Sequence, residues 1–146
     1  MKNIITIFIS VITSVLIGMT FMDVTEEPVE PTINITSSLI ALQFGAYNEE
    51  ESAKEIAEKH NAIAVKGENY YYVYAAVLSD TNNIERMMNK LDENNTYYYA
   101  KELKPNHLYQ QELIKYEELM RKCTSDVAFL KLVEQSLKKY EVYHEN

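Results

Sequence analysis

Tyrosine side chains are concentrated in one short stretch, GENYYYVYAAV, in a chain with twelve tyrosines, four phenylalanines and no tryptophan. Four tyrosines of this stretch lie within five consecutive positions: Tyr70, Tyr71, Tyr72 and Tyr74. Each ring offers an apolar face, and each phenol can donate or accept a hydrogen bond. Such side chains can stack on the C–H groups of a sugar ring. The alternative is that strand propensity and cross-strand ring pairing alone account for these tyrosines.

Other reactive side chains form no pattern that is typical of catalysis. The histidines His60, His107 and His144 and the single Cys123 are too scattered for a metal-ligand spacing, and no Gly-rich phosphate loop is present. Neither a Ser/His/Asp nor a Cys/His arrangement can be identified. The sequence therefore predicts no enzyme activity, no cofactor and no metal site.

Composition and charge restrict the partners. The 146 residues are enough for one small domain with attachments, and the formal net charge is -8 with a pI near 4.9. Proteins that bind nucleic acid usually carry a basic patch, because binding releases counterions from the phosphates. We therefore expect no nucleic-acid partner.

The first 22 residues are predicted to be a transmembrane anchor. From Ile4 to Met22 the chain carries no charge, and nineteen helical residues at about 1.5 Å each match the thickness of a bilayer's hydrocarbon core. A secretory signal peptide is the alternative, but the apolar run is longer than usual and no clear cleavage site follows. Lys2 precedes the run and only acids follow it until Lys54, so the N-terminus is expected in the cytoplasm and the rest outside.

Residues 23 to 36, DVTEEPVEPTINIT, contain four acids and two prolines without helical or strand periodicity. This composition is typical of an extended, self-repelling linker. We expect it to separate the membrane anchor from a folded domain that covers residues 37 to 104.

That domain is predicted to be α+β. SLIALQFGAY alternates apolar residues as a strand does, and NEEESAKEIAEKH follows as an amphipathic helix capped by Asn48. Further strands are predicted at 62 to 66, at the tyrosine stretch and at 96 to 101, with Gly67 in a hairpin turn and a second helix between the last two strands. The order β-α-β-β-α-β usually forms a four-stranded antiparallel sheet with two helices on one face and the other face open.

Alternation along the strands predicts which tyrosines face outward. If Val73, Ala75 and Val77 point toward the helices, alternate tyrosines of the same strand project onto the open face. The last strand should add a second pair, close to an amide from the first strand. The predicted aromatic face consists of Gln43, Tyr70, Tyr72, Tyr74, Tyr97 and Tyr99.

The motifs IALQFGAY, NEEESAKEIAEKH and YYYVYAAVL, with a second helix after them, resemble the SPOR domain over about residues 38 to 104. Members of that family typically have aliphatic-Gln-aliphatic-Gly-Ala-aromatic in the first strand, and Gln43 matches the Gln of this pattern. The sequence departs from the family at Tyr72, where Arg is frequent, and at residues 76 to 78, where Gly-Pro-Phe is frequent.

This resemblance implies a function in the cell envelope. SPOR domains fold as β-α-β-β-α-β and bind peptidoglycan glycan strands on the open sheet face, preferring strands stripped of stem peptides. Many belong to single-pass membrane proteins of cell division or sporulation. By resemblance, this chain would bind glycan through Gln43 and the tyrosine face. Aromatic sheets of the same topology bind single-stranded RNA in other families, but the acidic charge and the expected location oppose that alternative.

Residues 105 to 146 are predicted to form a helical hairpin. Apolar stripes at helical spacing run through two segments that meet between Cys123 and Asp126. The stripes consist of Tyr109, Leu113, Tyr116 and Met120, and of Leu130, Val133, Leu137 and Tyr140. They must be buried on the domain or against an envelope or divisome protein. If they cover the tyrosine face, glycan binding fails and a membrane-anchored scaffold is the better interpretation.

Overall fold

The computed structural model describes residues 38 to 145, which belong to one compact unit. The predicted membrane anchor and linker lie outside these residues. Between residues 38 and 145, no helix combines the length and the apolar composition that crossing a membrane requires. The elements are β1 Leu39–Tyr47, α1 Glu50–Lys59, β2 Ile63–Lys66, β3 Tyr71–Leu78, α2 Thr81–Glu93, β4 Tyr99–Leu103, α3 His107–Lys122 and α4 Asp126–Glu145.

The four strands form one antiparallel sheet in the order β2-β3-β1-β4. Strand β1 pairs with β3 and with β4, and β2 pairs with β3. This order is that of two interleaved β-α-β units. The predicted α+β class, the order of the elements as far as β4 and the antiparallel sheet are confirmed. The C-terminal hairpin is also present, as α3 and α4.

Several predicted strand boundaries were wrong. Tyr70 lies in the turn before β3, where its carbonyl oxygen accepts a hydrogen bond from the Gly67 N–H at 2.8 Å. The last strand begins at Tyr99 rather than at Thr96, because α2 ends at Glu93, Asn95 turns the chain with φ 51°, and several residues are needed to reach the sheet.

Helix α1 packs on one face of the sheet. Its Ala53 and Ala57 are buried against Val73 of β3. The N-cap position of this helix is occupied by Glu49, whose side chain makes no cap hydrogen bond. The prediction that Asn48 caps this helix was therefore wrong. His60, directly after α1, is exposed, and the centre of its ring lies 5.1 Å from that of the Phe44 ring.

Helix α2 connects the sheet to the C-terminal hairpin. The Asp80 carboxylate caps it by accepting from the Asn83 N–H at 3.1 Å. Arg86 donates to the carbonyl oxygen of Cys123 at 2.7 Å, and its guanidinium lies 4.3 Å from the centre of the Phe129 ring. These contacts hold α2 against the loop between α3 and α4.

The C-terminal hairpin covers part of the opposite face. Tyr140 of α4 meets Tyr74 of β3 edge to face, with ring centroids 6.1 Å apart. Val73 and Tyr74 are consecutive in a strand and point to opposite faces, so α1 and α4 lie on opposite sides of the sheet. Helix α4 packs against β2 and β3. Buried residues from the sheet and the hairpin form one continuous core that includes Leu39, Leu42, Leu78, Tyr109, Leu113, Met120, Phe129 and Leu137.

Candidate functional site

Gln43 lies at the centre of the predicted aromatic face. In the antiparallel register it pairs with Tyr74 of β3 on one side and with Tyr99 of β4 on the other. The pairing of β1 with β3 is irregular on both sides of Gln43, between Leu42 and Gly45. The structure therefore brings the predicted amide and two of the predicted tyrosines together.

The part of this face over β3 is covered. Tyr74 is 3% exposed and Gln43 is 9% exposed. Burial is the largest cause that raises the pKa of Tyr74 far above that of a free phenol. The neighbouring Tyr140 and then Tyr72 raise this pKa further. Among the described residues, Oε1 of Gln43 has no hydrogen-bond partner. In this conformation neither side chain can contact a large ligand.

The part over β4 is open. Tyr97 is 71% exposed and Tyr99 is 53% exposed. Their rings meet edge to face with centroids 5.0 Å apart, and the hydrogen bond between their phenols raises the pKa of Tyr97. Because edge-to-face packing leaves ring faces uncovered, this pair can offer apolar ring surface to a ligand.

Lys101 extends the open part toward β3, and sequence reasoning missed it. Its ammonium group lies 4.2 Å from the centre of the half-buried Tyr72 ring, a cation–π contact. The Tyr72 ring is in turn parallel to that of Tyr74, with centroids 6.2 Å apart. The signal that could have revealed Lys101 is its position two residues after Tyr99, which puts both on one face of β4. We call Tyr72, Tyr97, Tyr99 and Lys101 the open aromatic patch.

Tyr70, the remaining predicted site residue, is 45% exposed. It lies in the hairpin turn between β2 and β3, so strand alternation does not fix its direction. The structure therefore gives no contact that joins Tyr70 to the open aromatic patch.

Within residues 38 to 145, no three His, Cys, Asp or Glu side chains are close enough together to hold an ion. Cys123 is half-buried, and its thiol lies 3.1 Å from the carbonyl oxygen of Ser125. The open aromatic patch offers ring surface, phenol hydroxyl groups and the Lys101 ammonium group.

Comparisons of this chain with protein-family models, with curated proteins and with solved structures gave no match. The resemblance to the SPOR domain therefore depends on the sequence motifs alone.

Proposed function

We propose that this chain binds peptidoglycan glycan strands through the open aromatic patch, as a single-pass membrane protein with its folded domain outside the cytoplasm. The proposal includes the SPOR-like arrangement of the β-α-β-β-α-β segment and a role in cell division or sporulation. Its support comes from the sequence motifs and from the chemistry of the open aromatic patch.

The observation that carries the proposal is the exposure of Tyr97 and Tyr99 as a contacting pair of rings. Adjacent aromatic rings that are exposed to solvent leave apolar surface unburied. Such contiguous surface marks interaction sites more often than single exposed apolar residues do. The hydroxyl and acetamido groups of a glycan strand can hydrogen-bond to the two phenols, and its pyranose C–H groups can stack on their rings.

The geometry shifts the expected contact toward the edge of the sheet. Since Tyr74 packs against Tyr140 of α4 and Gln43 is also buried, a glycan strand would lie along β4 and contact Tyr97, Tyr99 and Lys101. Gln43 would not contact the glycan. It would support the site through the pairing of β1 with β4, in which it lies opposite Tyr99. This differs from a contact centred on β1 and β3, which the sequence motifs alone imply.

The second candidate is an envelope scaffold without glycan affinity. It is favoured by the burial of Tyr74 and Gln43, because the hairpin occupies the centre of the face that a SPOR domain would use. The hairpin also carries exposed apolar side chains at both ends, Leu108 and Val127, which a partner protein could cover.

Cosedimentation with purified peptidoglycan separates the two candidates. The fragment of residues 34 to 146, which contains the whole compact unit, should pellet with amidase-stripped peptidoglycan and less with intact peptidoglycan. Tyr97→Ala/Tyr99→Ala should weaken binding about tenfold, because two central ring contacts are lost. Tyr97→Phe/Tyr99→Phe should retain most of the binding, since it keeps both rings.

Leu108→Ala is the matched control, because Leu108 is 63% exposed on α3 and is not part of the open aromatic patch. Binding that survives the double alanine variant would refute the open aromatic patch as the site. If the folded wild-type fragment pellets with neither form of peptidoglycan, the glycan proposal fails and the scaffold remains.

A further inference from the structure

A cavity of about 540 Å³ is lined by residues other than those of the open aromatic patch. Its walls come from the end of α1, from the second half of α2 and from the first half of α4. None of Tyr72, Tyr97, Tyr99 and Lys101 lines it. The volume is within the range of about 300 to 1,000 Å³ that small-molecule sites usually have.

The floor of this cavity is apolar. It is formed by buried side chains from β3, α2 and α4, together with the half-buried Phe44 ring. The buried members are Ala75, Met87, Leu91 and Val133. At the mouth, Val127 is 76% exposed and Leu130 is 39% exposed. Apolar surface therefore continues from the floor to the outside, as an alkyl chain would require.

The rim is basic, although the whole chain carries a net charge of -8. Lys59 of α1 and Lys131 of α4 line the cavity, and neither has an ion-pair partner among residues 38 to 145. Lys90 also lines it but is held by Asp126 at 2.8 Å and by Glu93.

The one carboxylate that lines the cavity, among the described residues, is already neutralised. Glu134 forms an ion pair with Lys138, with 2.8 Å between Oε1 of Glu134 and Nζ of Lys138. The two unpaired ammonium groups, Lys59 and Lys131, therefore dominate the local potential at the mouth. An anion placed there would meet attraction from both sides.

We propose that this cavity binds a linear anionic amphiphile, with its alkyl chain on the apolar floor and its carboxylate or phosphate head between Lys59 and Lys131. The combination of an apolar floor with an unpaired basic rim distinguishes this ligand from a neutral apolar one. The proposal is independent of glycan binding, since it uses none of the same residues.

Calorimetric titration of the fragment of residues 34 to 146 with decanoate and with decyl phosphate, each below its micellar concentration, tests the proposal. Decanoate models a free fatty acid and decyl phosphate models a lipid headgroup. At least one should bind saturably, and neutral decanol should bind about tenfold more weakly, because it lacks the attraction to the two lysines. Lys59→Gln/Lys131→Gln should lower the affinity for the anion to that for decanol and leave decanol binding unchanged.

Val127→Glu/Leu130→Glu places two negative charges at the mouth and should abolish anion binding. Leu108→Glu is the matched control on an exposed apolar residue of α3 that does not line the cavity. Each variant must first show the wild-type circular dichroism spectrum. The proposal is overturned if neither anion binds, if decanol binds as tightly as both anions, or if Leu108→Glu weakens binding as much as the change at the mouth.

Discussion

At the scale of single residues, one buried carboxylate connects α3 to the sheet. Glu117 is 4% exposed. It accepts hydrogen bonds from the Ser79 N–H and hydroxyl, both at 2.6 Å, and from the Asp80 N–H at 2.8 Å. Its main-chain oxygen accepts from the Asn83 amide at 3.2 Å. These donors lie where β3 ends and α2 begins, so this side chain fixes three elements relative to one another.

We expect Glu117→Ala to lower the free energy of unfolding by about 2–4 kcal/mol, because three partly buried donors lose their acceptor. Glu117→Gln should cost only about 1 kcal/mol, since its amide oxygen can still accept from the two main-chain N–H groups. Urea unfolding of residues 34 to 146 measures both. The exposed neighbour Glu118 is the control, and its change to alanine should stay within about 0.5 kcal/mol. Equal losses for the two alanine variants would contradict this role.

At the scale of elements, an ion-pair network joins the start of α4 to α2. Asp126 accepts from Arg86 at 3.0 Å and from Lys90 at 2.8 Å. The hydrogen bonds from Lys90 and then from Arg86 hold the pKa of the Asp126 carboxyl below its ordinary value of 3.8. A carboxyl group whose pKa is lower in the folded state stabilises the fold above its unfolded pKa and loses that effect as the pH falls through the folded value.

Asp126→Asn should therefore lower the urea midpoint at neutral pH, and the difference from wild type should shrink as the pH falls below 3.8. The effect is modest, because the side chain of Asp126 is 51% exposed and solvent screens the pair. Glu55→Gln, in an exposed position of α1, controls for the loss of one negative charge. A midpoint difference that stays constant from neutral to acidic pH would mean that the carboxylate charge is not responsible.

Sequence periodicity predicted the elements because most of them bury one apolar stripe. In α3 three of the four predicted residues, Tyr109, Leu113 and Met120, are fully buried, whereas Tyr116 is half-buried. In α4 the prediction was less accurate, since Leu130 is 39% exposed whereas Phe129 is fully buried. Helix α4 meets α3 and the sheet at once, and Arg86 covers Phe129 from α2. A local period cannot reveal such distant contacts.

The candidate site was predictable to the same extent. Alternation put Tyr97 and Tyr99 together, and their rings are indeed in contact. The burial of Tyr74 was not predictable, because it depends on Tyr140, which lies far away in sequence. The irregular register around Gln43 also changes side-chain direction locally, and the isolated Gly45 within β1 is the residue type that could have indicated it.

At the scale of the whole molecule, the sheet and the hairpin share one hydrophobic core. Leu39 and Leu78 of the sheet belong to the same buried cluster as Leu113 and Leu137 of the hairpin. The Tyr109 hydroxyl also donates to the Val77 carbonyl oxygen at 2.7 Å. Elements that share a core in a small domain usually unfold together, because opening one exposes the apolar surface of the other.

We therefore expect residues 34 to 146 to unfold in a single urea transition, with the same midpoint by far-ultraviolet circular dichroism and by tyrosine fluorescence. The first signal reports mainly on the helices, while the second reports on rings such as Tyr74, Tyr109 and Tyr140, which lie between the sheet and the hairpin. Tyr109→Phe should lower both midpoints equally, by about 1 kcal/mol of stability. If the fluorescence changes first, the hairpin separates from a folded sheet, and Tyr74 and Gln43 become available to a ligand. Coincident transitions would instead make the cover over Tyr74 permanent and restrict glycan contact to the β4 side.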